Sequence, residues 1–330
     1  MLGAGAKPLD AEEQSALAFD RLAAYLAAMK ALFAANYRAH EALVRHARAR
    51  PQLWRILPVF AIIMAVYWYG YDLIWNGLYA FMSYDGYRAI YDDFEAIVLP
   101  QSMLILLYGF GLIWAGLVIG VRLVHRRGFE TLVGAPRALW HQSKQVGLAL
   151  IALSIATLVL PPYGAHGALI AGQPFGTWLA LLLPALVGVL IQTSAEEAVF
   201  RGYLQQQLAA RFGAPWVWMV LPSLLFGLAH YAPQTYGANA WLVVIWAGVF
   251  GLIAADLTAR SGTLGPAITF HFLSNVGVML VVSPQGEMSG LALYQYPFDS
   301  RDEAALRSYL PFDFALMALG WLAARIALRR

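Results

Sequence analysis

Eight stretches of about twenty residues, near 56–75, 96–121, 146–161, 176–198, 215–236, 240–257, 264–283 and 309–325, are apolar almost without interruption. A helix of that length rises roughly 30 Å, the thickness of the hydrocarbon layer of a bilayer. Inside lipid every backbone N–H and C=O must be satisfied within the segment, so such runs fold as spanning helices. Composition agrees: 60% of the 330 residues are hydrophobic and only 12% are charged, against about 25% charged in soluble domains. The chain is therefore expected to be all-α, a polytopic transmembrane helical bundle of about eight spans. No apolar stretch follows the single lysine in residues 1–9, so no cleaved signal peptide is expected. Zero cysteines exclude disulfides, thiolate metal sites and a cysteine nucleophile.

Lys and Arg accumulate in cytoplasmic loops. With both termini in the cytoplasm, only Arg88, Arg301 and Arg307 of the 22 basic residues fall on the opposite side. The segments 76–95 and 284–308 instead carry Asp85, Asp92, Asp93, Glu95, Glu287, Asp299, Asp302 and Glu303. The expected location is an inner, cytoplasmic-type membrane, crossed many times. Residues 9–50, with Asp10 as N-cap, read as one long amphipathic helix that ends before Pro51 and is basic in its last third. It is expected either on an anionic leaflet or packed against cytoplasmic loops or another chain. Four regions follow: 1–50 for that helix, 51–175 for spans one to three, 176–283 for a polar-marked core, and 284–330 for an outer loop, the last span and a cytoplasmic tail. The basic residues lack the aromatic interleaving of a nucleic-acid binder, so no nucleic-acid partner is expected.

An ionised side chain at the bilayer centre costs roughly 2.5 to 3.5 kcal/mol on insertion scales, so polar residues inside spans mark candidate sites. From Gly176 to Ala195 no charge occurs, and then Glu196 and Glu197 stand side by side. Glu197 and Arg201 are i and i+4, a spacing that favours an ion pair and leaves Glu196 to point elsewhere. His271 and Asn275 are also i and i+4 and share a helical face. His230 lies in the fifth span. If the fourth helix runs on to a turn at Arg211–Pro215, Glu196 and His230 are both about 25 Å from that turn and level with each other. Trp216, Trp218, Trp241 and Trp321 read as interfacial anchors, Phe226 as packing, and Asp256 with Arg260 as an ordinary end pair. Pro184 and Pro222 are expected to kink spans four and five. His40, His46, His125, His141 and His166 receive no role.

Glu196-Glu197-x-x-x-Arg201, Phe226-x-x-x-His230 and His271-x-x-x-Asn275, in that order on separate hydrophobic segments, resemble the three motifs of the CPBP family (CAAX protease and bacteriocin-processing, or Abi) of intramembrane endopeptidases. That family includes the type II CAAX prenyl endopeptidase. The resemblance covers about 176–283 and implies proteolysis of a peptide or protein substrate at the bilayer. On the residues alone, Ser194, Ser223 and Ser274 show no arrangement with His and an acid, so water is the expected nucleophile. Glu196 with His230 would activate it as general base, Arg201 would hold Glu197, and His271 with Asn275 would donate to the oxyanion, as the resemblance also implies. No cofactor is favoured. Zinc is the competing account, held by Glu196, His230 and His271, although His-x-x-x-Asn offers one imidazole per helix where His-Glu-x-x-His offers two. A proton-coupled transporter or channel with a buried Glu and His relay, and a non-catalytic binding or immunity factor, are the alternatives of other classes.

Overall fold

Short loops between apolar helices force neighbours in sequence to pack antiparallel, and the computed structural model of the chain is built in that way. It describes residues 19–25, 35–159 and 167–329. Two compact units are distinguished, residues 1–38 and 39–330. In the first, residues 19–25 are helical; the expected N-cap Asp10 and the stretch 26–34 lie outside the described residues, as does His166. The expected single helix over 9–50 is broken where it can be followed: a turn at Tyr37 and a 3₁₀ turn at Arg38–His40 precede α1 (Glu41–Ala47). His40, Leu43, Val44 and Ala47 are buried, so α1 packs into the second unit and does not lie free on a surface.

In the second unit the bundle continues with α2 (Ile56–Phe81), α3 (Tyr84–Asp93), α4 (Pro100–Gly120, extended by a π segment Val121–His125), α5 (Glu130–Val133) and α6 (Pro136–Val159). Then come α7 (Phe175–Glu197), a π segment Ala198–Gln205, α8 (Gln206–Arg211), α9 (Pro215–Leu228), α10 (Pro233–Tyr236), α11 (Ala240–Ser261), α12 (Gly265–Val276, extended by a π segment Gly277–Val281) and α13 (Glu303–Leu328). Five helical stretches are long and apolar enough to cross a membrane: Leu53–Phe81, Pro100–His125, Phe175–Arg211, Pro233–Ser261 and Glu303–Leu328. Pro215–Leu228 and Gly265–Val281 are shorter apolar helices, and α6 supplies the eighth bundle helix. Boundaries follow local chemistry. Prolines open α4 and α9, where an N-terminal N–H has no partner to lose. Ser83 and Asp302 side chains cap α3 and α13, and Gly262, at φ +73°, ends α11.

The expected fifth span over 215–236 stops eight residues early. Pro233 disfavours helix at the residue before it, and Ala232 is not helical. A small sheet, absent from the sequence reading, joins the start of α7 to the chain after α12. Its order is β1 (Ile170–Ala171), β3 (Tyr294–Asp299), β2 (Val282–Gln285), with β1 antiparallel and β2 parallel to β3. Outward faces are apolar, as with Leu57 at 74% and Leu183 at 71% exposure, which suits lipid as solvent. Inside, one cluster gathers Val146, Phe226, Phe250 and Phe270 and a second gathers Val59, Leu117, Val199 and Leu264; Phe200 packs against both. That junction is where the paired glutamates emerge.

Two polar assignments change. Asp256 and Arg260 are buried, and Asp256 also accepts from Trp321 Nε1 at 2.9 Å; they tie α11 to α13 and are not an ordinary end pair. Trp321 is thus a hydrogen-bonded strut, and Trp218 is buried against His40 with ring centroids 4.7 Å apart. Trp216 and Trp241 are exposed, as anchors would be.

Candidate active site

Glu196 and Glu197 close α7 at the point where the helix widens into its π segment, a distortion frequently found at functional sites. The helix runs on to Arg211, as the levelling of Glu196 with His230 requires. Glu197 and Arg201 are wholly buried and paired, Arg201 Nη1 donating to Glu197 Oε1 at 2.9 Å. The guanidinium also lies over the Phe226 ring, 4.6 Å from its centroid. Its Nε and Nη2 have no hydrogen-bond partner among the described residues, so the aromatic face is what meets the rest of the cation. Gly251 makes room there: a Cβ would stand 3.1 Å from Nη2.

His271, on α12, joins the two carboxylates. Its Nδ1 is 2.8 Å from Glu197 Oε1 and its Nε2 is 3.4 Å from Glu196 Oε2. A carboxylate only accepts, so Nδ1 carries the proton shared with Glu197. Between Nε2 and Glu196 there is then room for one further proton, carried by the ring as imidazolium or by the carboxyl group. His230 sits just beyond the end of α9, with Nδ1 donating to the Phe226 carbonyl at 2.8 Å. That bond fixes the tautomer and leaves Nε2 as the unprotonated nitrogen of the neutral ring. His230 and Glu196 are near enough for their charges to interact, but no hydrogen bond joins them.

Asn275 reaches Glu196 through a residue the sequence reading passed over. Asn275 Nδ2 donates to Gln192 Oε1 at 2.8 Å, and Gln192 Nε2 donates to Glu196 Oε2 at 2.7 Å. Gln192 is one turn before Glu196, the single amide in an apolar run, and that i, i+4 spacing was the available signal. All six expected residues therefore come together. His271, expected to face an oxyanion beside Asn275, has both ring nitrogens turned to the glutamates.

The residues of the zinc alternative, Glu196, His230 and His271, are not gathered as a ligand set in this arrangement. Among the described residues no group of three His, Cys, Asp or Glu could hold a metal ion, and the His271 nitrogens are engaged by carboxylates. A groove of about 490 Å³ opens elsewhere, between the starts of α4 and α7, lined by Pro100, Leu104, Gly176 and Ala180. Ala180 is roughly 24 Å along the helix from Glu196, so this space is separate from the polar cluster.

Residues 176–277 match the family model described as Type II CAAX prenyl endopeptidase Rce1-like. The chain is also 24% identical over 265 residues to the "Uncharacterized protein YyaK" of Bacillus subtilis (strain 168), an alignment covering 75% of this chain and 84% of that protein. No solved structure matches. The matched segment holds Glu196, Glu197, Arg201, His230, His271 and Asn275 together, so the resemblance read from the three motifs stands on the same residues as the family match. Over residues 176–277 the chain is similar to the type II CAAX prenyl endopeptidase Rce1-like family, within a polytopic membrane bundle.

Proposed function

We propose that the protein is an intramembrane endopeptidase that hydrolyses a peptide bond of a membrane-associated peptide or protein with a glutamate-activated water. The observation that carries this reading is Glu196: a carboxylate in an apolar bundle, held by Gln192 and 3.4 Å from an imidazole nitrogen. Glu196 takes a proton from water as the oxygen attacks the scissile carbonyl, and returns it to the departing amide nitrogen. His271 beside it balances the charge as the proton moves. Glu197 and Arg201 hold His271 by its other nitrogen. For the oxyanion, Asn275 has a second amide hydrogen beyond the one given to Gln192, and removal of such a donor typically costs about 10² to 10³ in rate. His230 Nε2, the bare nitrogen of the neutral ring, accepts a hydrogen bond from the attacking water beside Glu196. The orientation that best suits the charge distribution puts both termini in the cytoplasm.

The test compares membrane proteomes of cells carrying the wild-type chain and Glu196→Ala. An uncleaved precursor should accumulate in the variant and be cleaved by purified wild-type protein in detergent. Cleavage that survives Glu196→Ala would end the assignment. Stoichiometric zinc in the active purified protein, measured by elemental analysis, would replace this chemistry with that of a metalloprotease.

A further inference from the structure

A cluster of arginines stands where α2 begins and the α4 stretch ends. Arg50 and Arg55 both donate from Nη1 to the Val124 carbonyl, at 3.1 and 2.8 Å, so two cations converge on one oxygen. Arg126 follows two residues later, exposed, in the left-handed region at φ 56°. Arg127 beside it turns inward: its Nη1 donates to Gln206, and its Nε and Nη2 are shielded from solvent, with no partner among the described residues. Among the described residues no carboxylate comes within 4.0 Å of any of the four. Partial desolvation, then the charges of Arg126 and Arg55, hold the Arg50 guanidinium below its ordinary range. Cations gathered without a directly paired acid repel one another, and an anion supplied from outside relieves that repulsion.

The surroundings favour an anion that carries an apolar tail. Trp54 is 60% exposed and lies under the Arg55 guanidinium, 4.7 Å from ring centroid to Cζ. Leu57 and Leu123, on the lipid-facing sides of the two membrane-crossing stretches, are also exposed. We infer that Arg50, Arg55 and Arg126 form a binding site for the phosphate headgroup of an anionic phospholipid, with Trp54, Leu57 and Leu123 along its acyl chains. Arginine suits this role because its planar donors match phosphate oxygens two at a time. The site is independent of the proteolytic reading, since none of its residues touches the glutamates.

Native mass spectrometry of the full chain in detergent, titrated with phosphatidylglycerol and with phosphatidylcholine, reads the preference directly. Phosphatidylglycerol should bind more tightly to the wild-type chain, and each arginine removed should weaken it about fivefold, as expected for about 1 kcal/mol per basic residue at an anionic surface. Arg126→Gln is the first variant, because its side chain is exposed and makes no hydrogen bond among the described residues. Arg50→Gln with Arg126→Gln should abolish the preference, while Arg301→Gln, at the opposite end of the bundle, should keep it. Equal binding of the two lipids to the wild-type chain overturns the inference, as does an unchanged preference in Arg126→Gln. Displacement of the lipid by inorganic phosphate or glycerol phosphate alone would show a free-anion site instead and overturn it as well.

Discussion

Glu196 and Glu197 are neighbours in sequence with different surroundings. Glu197 is fully buried and bonded to Arg201 and His271, whereas Glu196 retains 16% of its side-chain surface. Removing one member of a buried ion pair strands the other charge and typically costs about 3 to 5 kcal/mol. Glu197→Ala is therefore expected to lower the thermal midpoint in detergent strongly, and Glu196→Ala to leave it near that of the wild type while abolishing cleavage. Equal melting losses in the two variants would contradict the division of roles. Gln192 gives a finer prediction. If it aims Glu196, then Gln192→Leu should reduce kcat about tenfold to hundredfold, the scale of a small misplacement of a catalytic group. KM and the melting midpoint should hardly move; a KM effect alone would make Gln192 a substrate contact.

At the scale of elements, the site depends on how closely α9 and α11 approach. A Cβ on Gly227 would stand 2.6 Å from the Val244 carbonyl and 3.1 Å from the Gly248 nitrogen, both backbone atoms that cannot swing aside. Gly227→Ala should thus push the helices apart and cost about 1 to 3 kcal/mol, the usual range for overpacking, read as a lower melting midpoint. The same shift carries Phe226 and His230 away from Arg201 and Glu196, so activity should fall with stability. The short helix α1 offers a pH-dependent counterpart. His40 is buried on Trp218 beside Gln205, and burial first, with Arg48 adding to it and Glu41 opposing it, pulls its pKa down to about 4. A histidine whose folded pKa lies below its unfolded 6.5 contributes stability that is complete above pH 6.5 and is lost as pH falls toward 4. Between pH 7 and pH 5 the linkage amounts to about 2 kcal/mol. Melting measured at both pH values should show a steeper acid loss in the wild-type chain than in His40→Phe; identical slopes would show that His40 titrates normally.

For the whole molecule, the bundle was legible because lipid leaves helices few alternatives, and the polar trio was legible because charge in an apolar run is costly. Other features depend on tertiary contact that no spacing encodes. The sheet forms from segments with Ile170 opposite Gln295, more than a hundred residues apart. Gln192 carries no charge and so escaped attention, and His40 and His125 became buried partners of Gln205, Gln207 and Tyr203 only once the helices met. The early end of α9 at Leu228, before the non-helical Ala232 and Pro233, ran against the continuing apolar pattern. Charge, by contrast, alternates from one connecting segment to the next in a way the sequence already displays. The ends of the bundle near Arg55, Arg137, Arg211, Arg260 and Arg325 are basic, and the loops near Asp85, Asp92, Glu287 and Asp302 are acidic. The proposed orientation puts the basic ends in the cytoplasm by the usual bias, which predicts the orientation of every helix at once. Because the natural chain has no cysteine, single replacements Asp85→Cys, Arg137→Cys and Arg329→Cys, all at exposed positions, give a clean readout with a membrane-impermeant maleimide. Intact cells should label the cysteine at position 85 at once and those at 137 and 329 only after permeabilisation. Labelling at 137 or 329 in intact cells would invert the topology, and with it the side of the membrane on which the arginine cluster meets its lipid.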